Sequence, residues 1–179
     1  MTKTAKLYGS ALYDVALEDS AAPSVLEEMQ AVQTAFAQHP DFLYLLDTPS
    51  LPKAERCGIL QETFDGQVHP YLLNFLKILC ENGTLRQFGG CLRAYKNRYN
   101  EDHHIMEVTA ITAIPMKEAQ IAALHSKLES QTGKTVALTC RVDPDCLGGV
   151  RLEMEGQQWD DTVRCRLDTI SRQLAGLTL

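Results

Sequence analysis

No run in this 179-residue chain approaches the roughly 20 consecutive apolar residues that a membrane-spanning helix needs. The opening stretch, Met1-Thr2-Lys3-Thr4-Ala5-Lys6, lacks the apolar centre of a secretory signal and passes straight into an amphipathic pattern. These two absences predict a cytoplasmic protein with no direct membrane insertion, which reaches a membrane only by docking on a complex already there. The six cysteines (Cys57, Cys80, Cys91, Cys140, Cys146 and Cys165) contain no CxxC pair. That spacing offers no paired zinc ligands, and in a reducing compartment the six read as buried or half-buried free thiols. Basic clusters are missing too: 17 Lys and Arg stand against 23 Asp and Glu, for a net charge of −6. A chain that neutralises many phosphates needs concentrated positive charge, so nucleic acid is excluded as a main partner.

Catalytic signatures are equally scarce. Gly133-Lys134-Thr135 looks like the end of a phosphate-binding loop, but Leu128 occupies the position where that loop needs its first glycine. A helix precedes it rather than a strand, so Gly133 reads as a helix C-cap. Glu101-Asp102-His103-His104 could offer metal ligands, yet adjacent histidines point different ways from a regular backbone, and the stretch reads as a polar hinge. Arg93, Tyr95, Lys96, Arg98 and Tyr99 mix basic and aromatic residues. On a helix they spread around the cylinder, which makes a solvated face plus two core-edge tyrosines. The serines lie in no nucleophile-elbow context, and no cysteine has a histidine close by in sequence. The expectation is a protein without catalytic, cofactor-binding or metal-binding residues.

What the chain does have is apolar periodicity, with 45% apolar and 22% charged residues, enough for a packed core. Residues 4–17 carry Leu7, Tyr8, Ala11, Leu12, Val15 and Ala16 at helical spacing in an unusually wide stripe. Helices follow over 25–37, 42–46, 53–64, 71–80 and 85–100, punctuated by Pro40, Pro49, Pro52, Asp65-Gly66, Pro70 and Asn82-Gly83. Near residue 104 the character changes. Residues 105–114 are rich in β-branched side chains and read as a strand. A helix over 116–131, a strand over 135–142 and a third strand over 147–154 follow. The end carries Val163, Leu167, Ile170 and Leu174 at steps of four, three and four, a coiled-coil-like seam. The fold class is mainly α within α+β: a six-helix bundle over residues 1–104, then a small α/β domain over 105–179 with about three strands and two helices. Two apolar surfaces exceed what cores of this size need: the first helix together with 71–80, and the last-helix seam. Such surfaces either mark protein partners or are simply core, and periodicity alone does not choose between the two.

Several segments resemble the delta subunit family of ATP synthases, whose mitochondrial counterpart is the oligomycin-sensitivity-conferring protein. Tyr8-Gly9-Ser10-Ala11-Leu12-Tyr13-Asp14-Val15-Ala16 is similar to that family's first helix, and Asn74 through Gly83 to its asparagine-to-glycine helix. Val142 through Val150 and Asp160 through Leu167 resemble its most diagnostic region. Gly9 stands where the family usually has Ala, which lowers helix propensity and predicts a looser first helix. The resemblance implies a non-catalytic stator subunit of a proton- or cation-translocating ATP synthase, peripheral on the cytoplasmic face of the cell membrane. It implies that residues 1–104 hold the amino-terminal helix of an alpha subunit between the first and fifth helices. The groove residues would be Tyr8, Ala11, Leu12, Val15, Phe75, Ile78 and Leu79. It further implies that residues 105–179 meet the b subunits of the peripheral stalk, on the side of Val163, Leu167, Ile170 and Leu174. The alternative is a freestanding helical adaptor unrelated to ATP synthase, distinguished by its genomic neighbours.

Overall fold

The computed structural model describes residues 2–47, 51–154 and 157–167. The chain divides into two compact units, Met1–Asn100 and Glu101–Leu179. The first is helical: α1 (Lys3–Glu18), α2 (Ala22–Gln38), α3 (Pro40–Asp47), α4 (Lys53–Phe64), α5 (Pro70–Glu81) and α6 (Phe88–Asp102), whose last turn contains the unit boundary. The boundaries follow local chemistry. The Thr2 hydroxyl accepts from the Ala5 N–H to open α1, and Pro40 and Pro70 each open a helix where no amide donor is required. His69 Nδ1 caps α5 by accepting from the Tyr71 N–H, and Gly83 follows its end with φ +63°. A single turn of 3₁₀ helix, Leu85–Gln87, leads into α6 where one continuous helix was expected.

The core of this unit gathers Leu12, Tyr13, Val25, Met29, Phe36, Leu60, Leu72, Leu76, Leu79, Phe88 and Tyr95. The Tyr13 and Tyr95 rings meet edge-to-face with centroids 5.3 Å apart, and Tyr95 Oη donates to the Ala22 carbonyl at 3.0 Å. Burial lifts the Tyr95 phenol well above its usual range, so it serves as a permanent donor. Tyr95 is therefore a core residue and Tyr99 packs half-buried against the same cluster. Gly9 does not loosen α1. It is buried where α1 crosses α6, and a Cβ there would stand 2.4 Å from the Cys91 carbonyl oxygen and 2.7 Å from Ala94 Cβ. The missing side chain is what lets the two backbones approach.

The second unit is a four-stranded sheet in the order β2-β1-β3-β4, made of β1 (Ile105–Thr112), β2 (Thr135–Val142), β3 (Val150–Met154) and β4 (Gln157–Asp160). β1 and β2 are parallel from Ile105↔Thr135 to Thr112↔Val142, so the connection must cross over, and α7 (Glu118–Thr132) makes it. Leu124 and Leu128 of α7 pack on Met106, Val108, Val136, Leu138, Leu152 and Met154. Gly133 caps α7 in the left-handed region at φ +67°, which accounts for Gly133-Lys134-Thr135 without any phosphate. At the outer edge of β2, His125 Nε2 lies 2.9 Å from the Val136 carbonyl oxygen, and Glu129 accepts from the Val136 N–H at 3.5 Å. Side chains thus take the place of a neighbouring strand at that end.

Two expectations need correction. The sheet has four strands, not about three: β4 pairs antiparallel with β3 from Arg151↔Asp160 to Met154↔Gln157. The third strand begins at Val150, not Leu147, because Leu147 and Gly149 both have positive φ (+61° and +81°) and turn the chain before pairing starts. Mainly helical α+β remains the right class.

Candidate functional site

On α1, Tyr8, Ala11, Leu12 and Val15 stand at i, i+3, i+4 and i+7 and share one face. On α5, Tyr71, Asn74, Phe75 and Ile78 repeat the same spacing. These eight residues enclose a groove of about 250 Å³ with an almost wholly apolar lining. Leu12 and Phe75, each 6% exposed, form the floor. Val15 at 42% and Ile78 at 45% exposed form opposing rims. The two helices run antiparallel, and a polar pin closes each end of the groove. Asn82 Nδ2 donates to Tyr8 Oη at 3.3 Å, and Tyr71 Oη donates to the Asp19 carboxylate. That hydrogen bond, with the negative charges of Asp19 and Glu18, holds the Tyr71 phenol above its ordinary value of 10.0. Tyr8 and Tyr71 are the ionisable groups among the eight lining residues. A site of this composition binds apolar surface. It offers no nucleophile, general base or metal ligand set.

Six of the seven groove residues expected from sequence come together here. Leu79 does not line the groove: at 0% exposed it belongs to the core. Position 79 lies one residue round the helix from the face of 71, 74, 75 and 78, which turns it inward. Tyr71 and Asn74 were missed. Their signal was the spacing on α5, which repeats that of α1.

A larger recess, about 640 Å³, opens between α2, α3 and α4, bordered by Phe36, His39, Phe42, Leu45, Phe64 and Gln67. It lacks the paired helical periodicity of the first groove. In the second unit, a polar recess of about 280 Å³ is lined by Asp143, Asp145, Arg151, Asp160, Thr162 and Arg164 among others. Its charges pair internally: Arg151 Nη2 is 3.6 Å from Asp143 and Arg164 Nη1 is 3.8 Å from Asp145. Asp160 accepts from the Thr162 N–H at 2.9 Å, and hydrogen bonding by Thr162 holds its carboxyl below the usual range. Among the described residues no group of three or more His, Cys, Asp or Glu is placed to hold a metal ion.

Of the seam residues, Val163 and Leu167 are 43% and 53% exposed on a helical stretch at 163–167. Ile170 and Leu174 lie outside the described residues. No helix among the described residues is long and apolar enough to cross a membrane.

Comparison with known proteins points in one direction. The sequence model of a family described as ATP synthase delta (OSCP) subunit matches residues 4–174. The chain is 34% identical over 170 residues to ATP synthase subunit delta of Alkaliphilus metalliredigens, covering 95% of this chain and 94% of that one. It is 29% identical over 179 residues to ATP synthase subunit delta of Synechococcus elongatus, covering 98% and 99%. A chain in the cryo-EM structure of the Toxoplasma gondii mitochondrial ATP synthase hexamer shares the fold, with TM-score 0.75 and 20% identity over 97% of this chain and 98% of that one.

Proposed function

The chain belongs to the ATP synthase delta (OSCP) subunit family, and from that premise we propose how its two units divide the work of a stator. It is a non-catalytic, peripheral-stalk subunit of ATP synthase, and family membership replaces the freestanding-adaptor alternative. The helical unit, residues 1–104, receives the amino-terminal helix of an alpha subunit in the α1–α5 groove. The observation that carries this reading is the pair of matching i, i+3, i+4, i+7 faces on two antiparallel helices, floored by Leu12 and Phe75. An amphipathic helix laid into such a groove buries its own apolar stripe at the same period. The second unit, residues 105–179, meets the b subunits of the stalk on the side of Val163 and Leu167, continued in sequence by Ile170 and Leu174. Joined at both ends, the subunit holds the catalytic head still while the rotor turns, on the cytoplasmic face of the cell membrane and without inserting into it.

Calorimetric titration of the full chain with a synthetic peptide from the start of the same organism's alpha subunit tests the groove. Saturable one-to-one binding is expected. Ala11→Asp or Ile78→Asp sets a carboxylate against the apolar partner helix and costs roughly 2–4 kcal/mol of binding. Wild-type affinity in either variant, with circular dichroism showing it folded, would displace the site from this groove.

A further inference from the structure

The charges of α1 are sorted by end. Lys3 and Lys6 fall in its first four residues, Asp14 and Glu18 in its last five, and all four are exposed. Asp19 follows as the C-cap, and the first turn holds no acid and the last no base. This order runs against the helix macrodipole, which favours acids at the amino terminus and cations at the carboxy terminus, so it costs α1 stability. A placement that local energetics disfavour is where a functional demand is expected. The α1–α5 groove lies along this gradient. Lys6 and Leu7 precede Tyr8 at one end. Toward the other, Asp14 stands three residues after Ala11 and Glu18 three after Val15, so both carboxylates border the lining on the α1 side. Tyr71 Oη donates to Asp19 at that same end. The charges of α5 are one of each sign, Lys77 and Glu81, so α1 alone polarises the groove.

Resting on the docking reading above, we infer that this charge order fixes the direction of the docked helix and the chemistry of its surface. The occupant is an amphipathic helix with an acidic amino-terminal end and a basic carboxy-terminal end. It lies parallel to α1, its acids toward Lys3 and Lys6 and its cations beside Asp14 and Glu18. A helix that follows its own dipole carries acids first and bases last. The inverted order on α1 complements such a helix in the parallel direction only. Reversed, the helix would set its acids against Asp14 and Glu18 and its cations against Lys3 and Lys6. The apolar lining discriminates little, because a stripe at i, i+3, i+4 and i+7 reads almost alike both ways. Affinity therefore comes from the lining, and direction from Asp14 and Glu18 as specificity-determining residues.

The test titrates the full chain with a synthetic peptide from the start of the same organism's alpha subunit, in about 20 mM and about 500 mM NaCl. The double variant Asp14→Asn with Glu18→Gln should bind roughly 3–30-fold more weakly than wild type at low salt. At high salt, which screens exposed charges, the two proteins should bind alike. Circular dichroism should show the variant folded and at least as stable as wild type, since it removes acids from the carboxy-terminal end of α1. A nitroxide on the first residue of the peptide should broaden the amide signals of residues 3–8 and spare those of residues 15–18 and 71. Equal affinity of variant and wild type at low salt overturns the inference, as does broadening at the Tyr71 end. A natural peptide whose acids do not precede its bases overturns it too. In each of these cases binding to wild type persists and the docking reading stands, whereas a wild type that binds no peptide removes both.

Discussion

Replacing Gly9 by Ala sets two effects of opposite sign against each other. Ala is the better helix former by about 1 kcal/mol, and α1 is a regular 16-residue helix that ought to profit. Packing opposes it. The new methyl would stand 2.4 Å from the Cys91 carbonyl oxygen, 2.7 Å from Ala94 Cβ and 3.1 Å from the Tyr95 N. Two of those three atoms are backbone, so no side-chain rotation relieves the contact, and α1 has to back away from α6. Overpacking of this kind costs typically 1–3 kcal/mol, and a backbone clash belongs at the upper end. The net expectation is a loss of about 1–2 kcal/mol, or a fall in Tm of roughly 4–15 °C for a unit of this size. Urea denaturation followed by far-ultraviolet circular dichroism reads the helical unit. Fluorescence of Trp159, the single tryptophan, reads the second unit as an internal control. A Gly9→Ala protein more stable than wild type would show that propensity outweighs the crossing, and the close α1–α6 packing would be wrong.

Two other perturbations follow from single contacts. Arg56 is 8% exposed, donates from Nη1 to the Leu46 carbonyl at 3.0 Å, and has a buried Nε with no partner among the described residues. Loss of that bond and relief of a buried charge nearly cancel in Arg56→Met, which should change stability by less than about 1 kcal/mol. Arg56→Ala leaves a void and should cost about 2–3 kcal/mol, and equal effects of the two in denaturant titration would refute the assignment. The Tyr71–Asp19 pin gives a pH signature. Because the folded phenol is raised above 10.0, its stabilisation is fully present below that pH and is lost as pH rises through the folded value. In Asp19→Asn the ultraviolet titration of one tyrosine should move to lower pH, and an unmoved curve would remove the pin.

Much of the helical unit is legible because its punctuation is chemical. Pro40, Pro52 and Pro70 cannot sit inside helices, and Gly66 and Gly83 take positive φ that other residues avoid. β4 is not legible: Gln157-Gln158-Trp159-Asp160 has neither alternation nor β-branched residues, and pairing with β3 alone makes it a strand. The groove shows a similar limit. On α1 the apolar stripe identifies the outward face, since charged Asp14 and Glu18 border it. α5 is apolar nearly all round, so spacing cannot phase its two faces, and Leu79 goes to the core while Tyr71 and Asn74 come to the site. Gly9 reads as a weakness from propensity alone. Its role depends on how near α6 comes, which no local pattern in α1 encodes.

The most direct test of the stator account is coupling itself. Membranes bearing this organism's ATP synthase, stripped of the subunit, are supplied with wild-type or Ile78→Asp protein, and ATP synthesis driven by an ion gradient is measured. Wild type should restore synthesis. The folded Ile78→Asp protein should restore little at equal concentration, with recovery only at a concentration higher by roughly 30-fold or more. Full restoration by Ile78→Asp at wild-type concentration would contradict docking in the α1–α5 groove, and undiminished synthesis without the subunit would contradict the stator role.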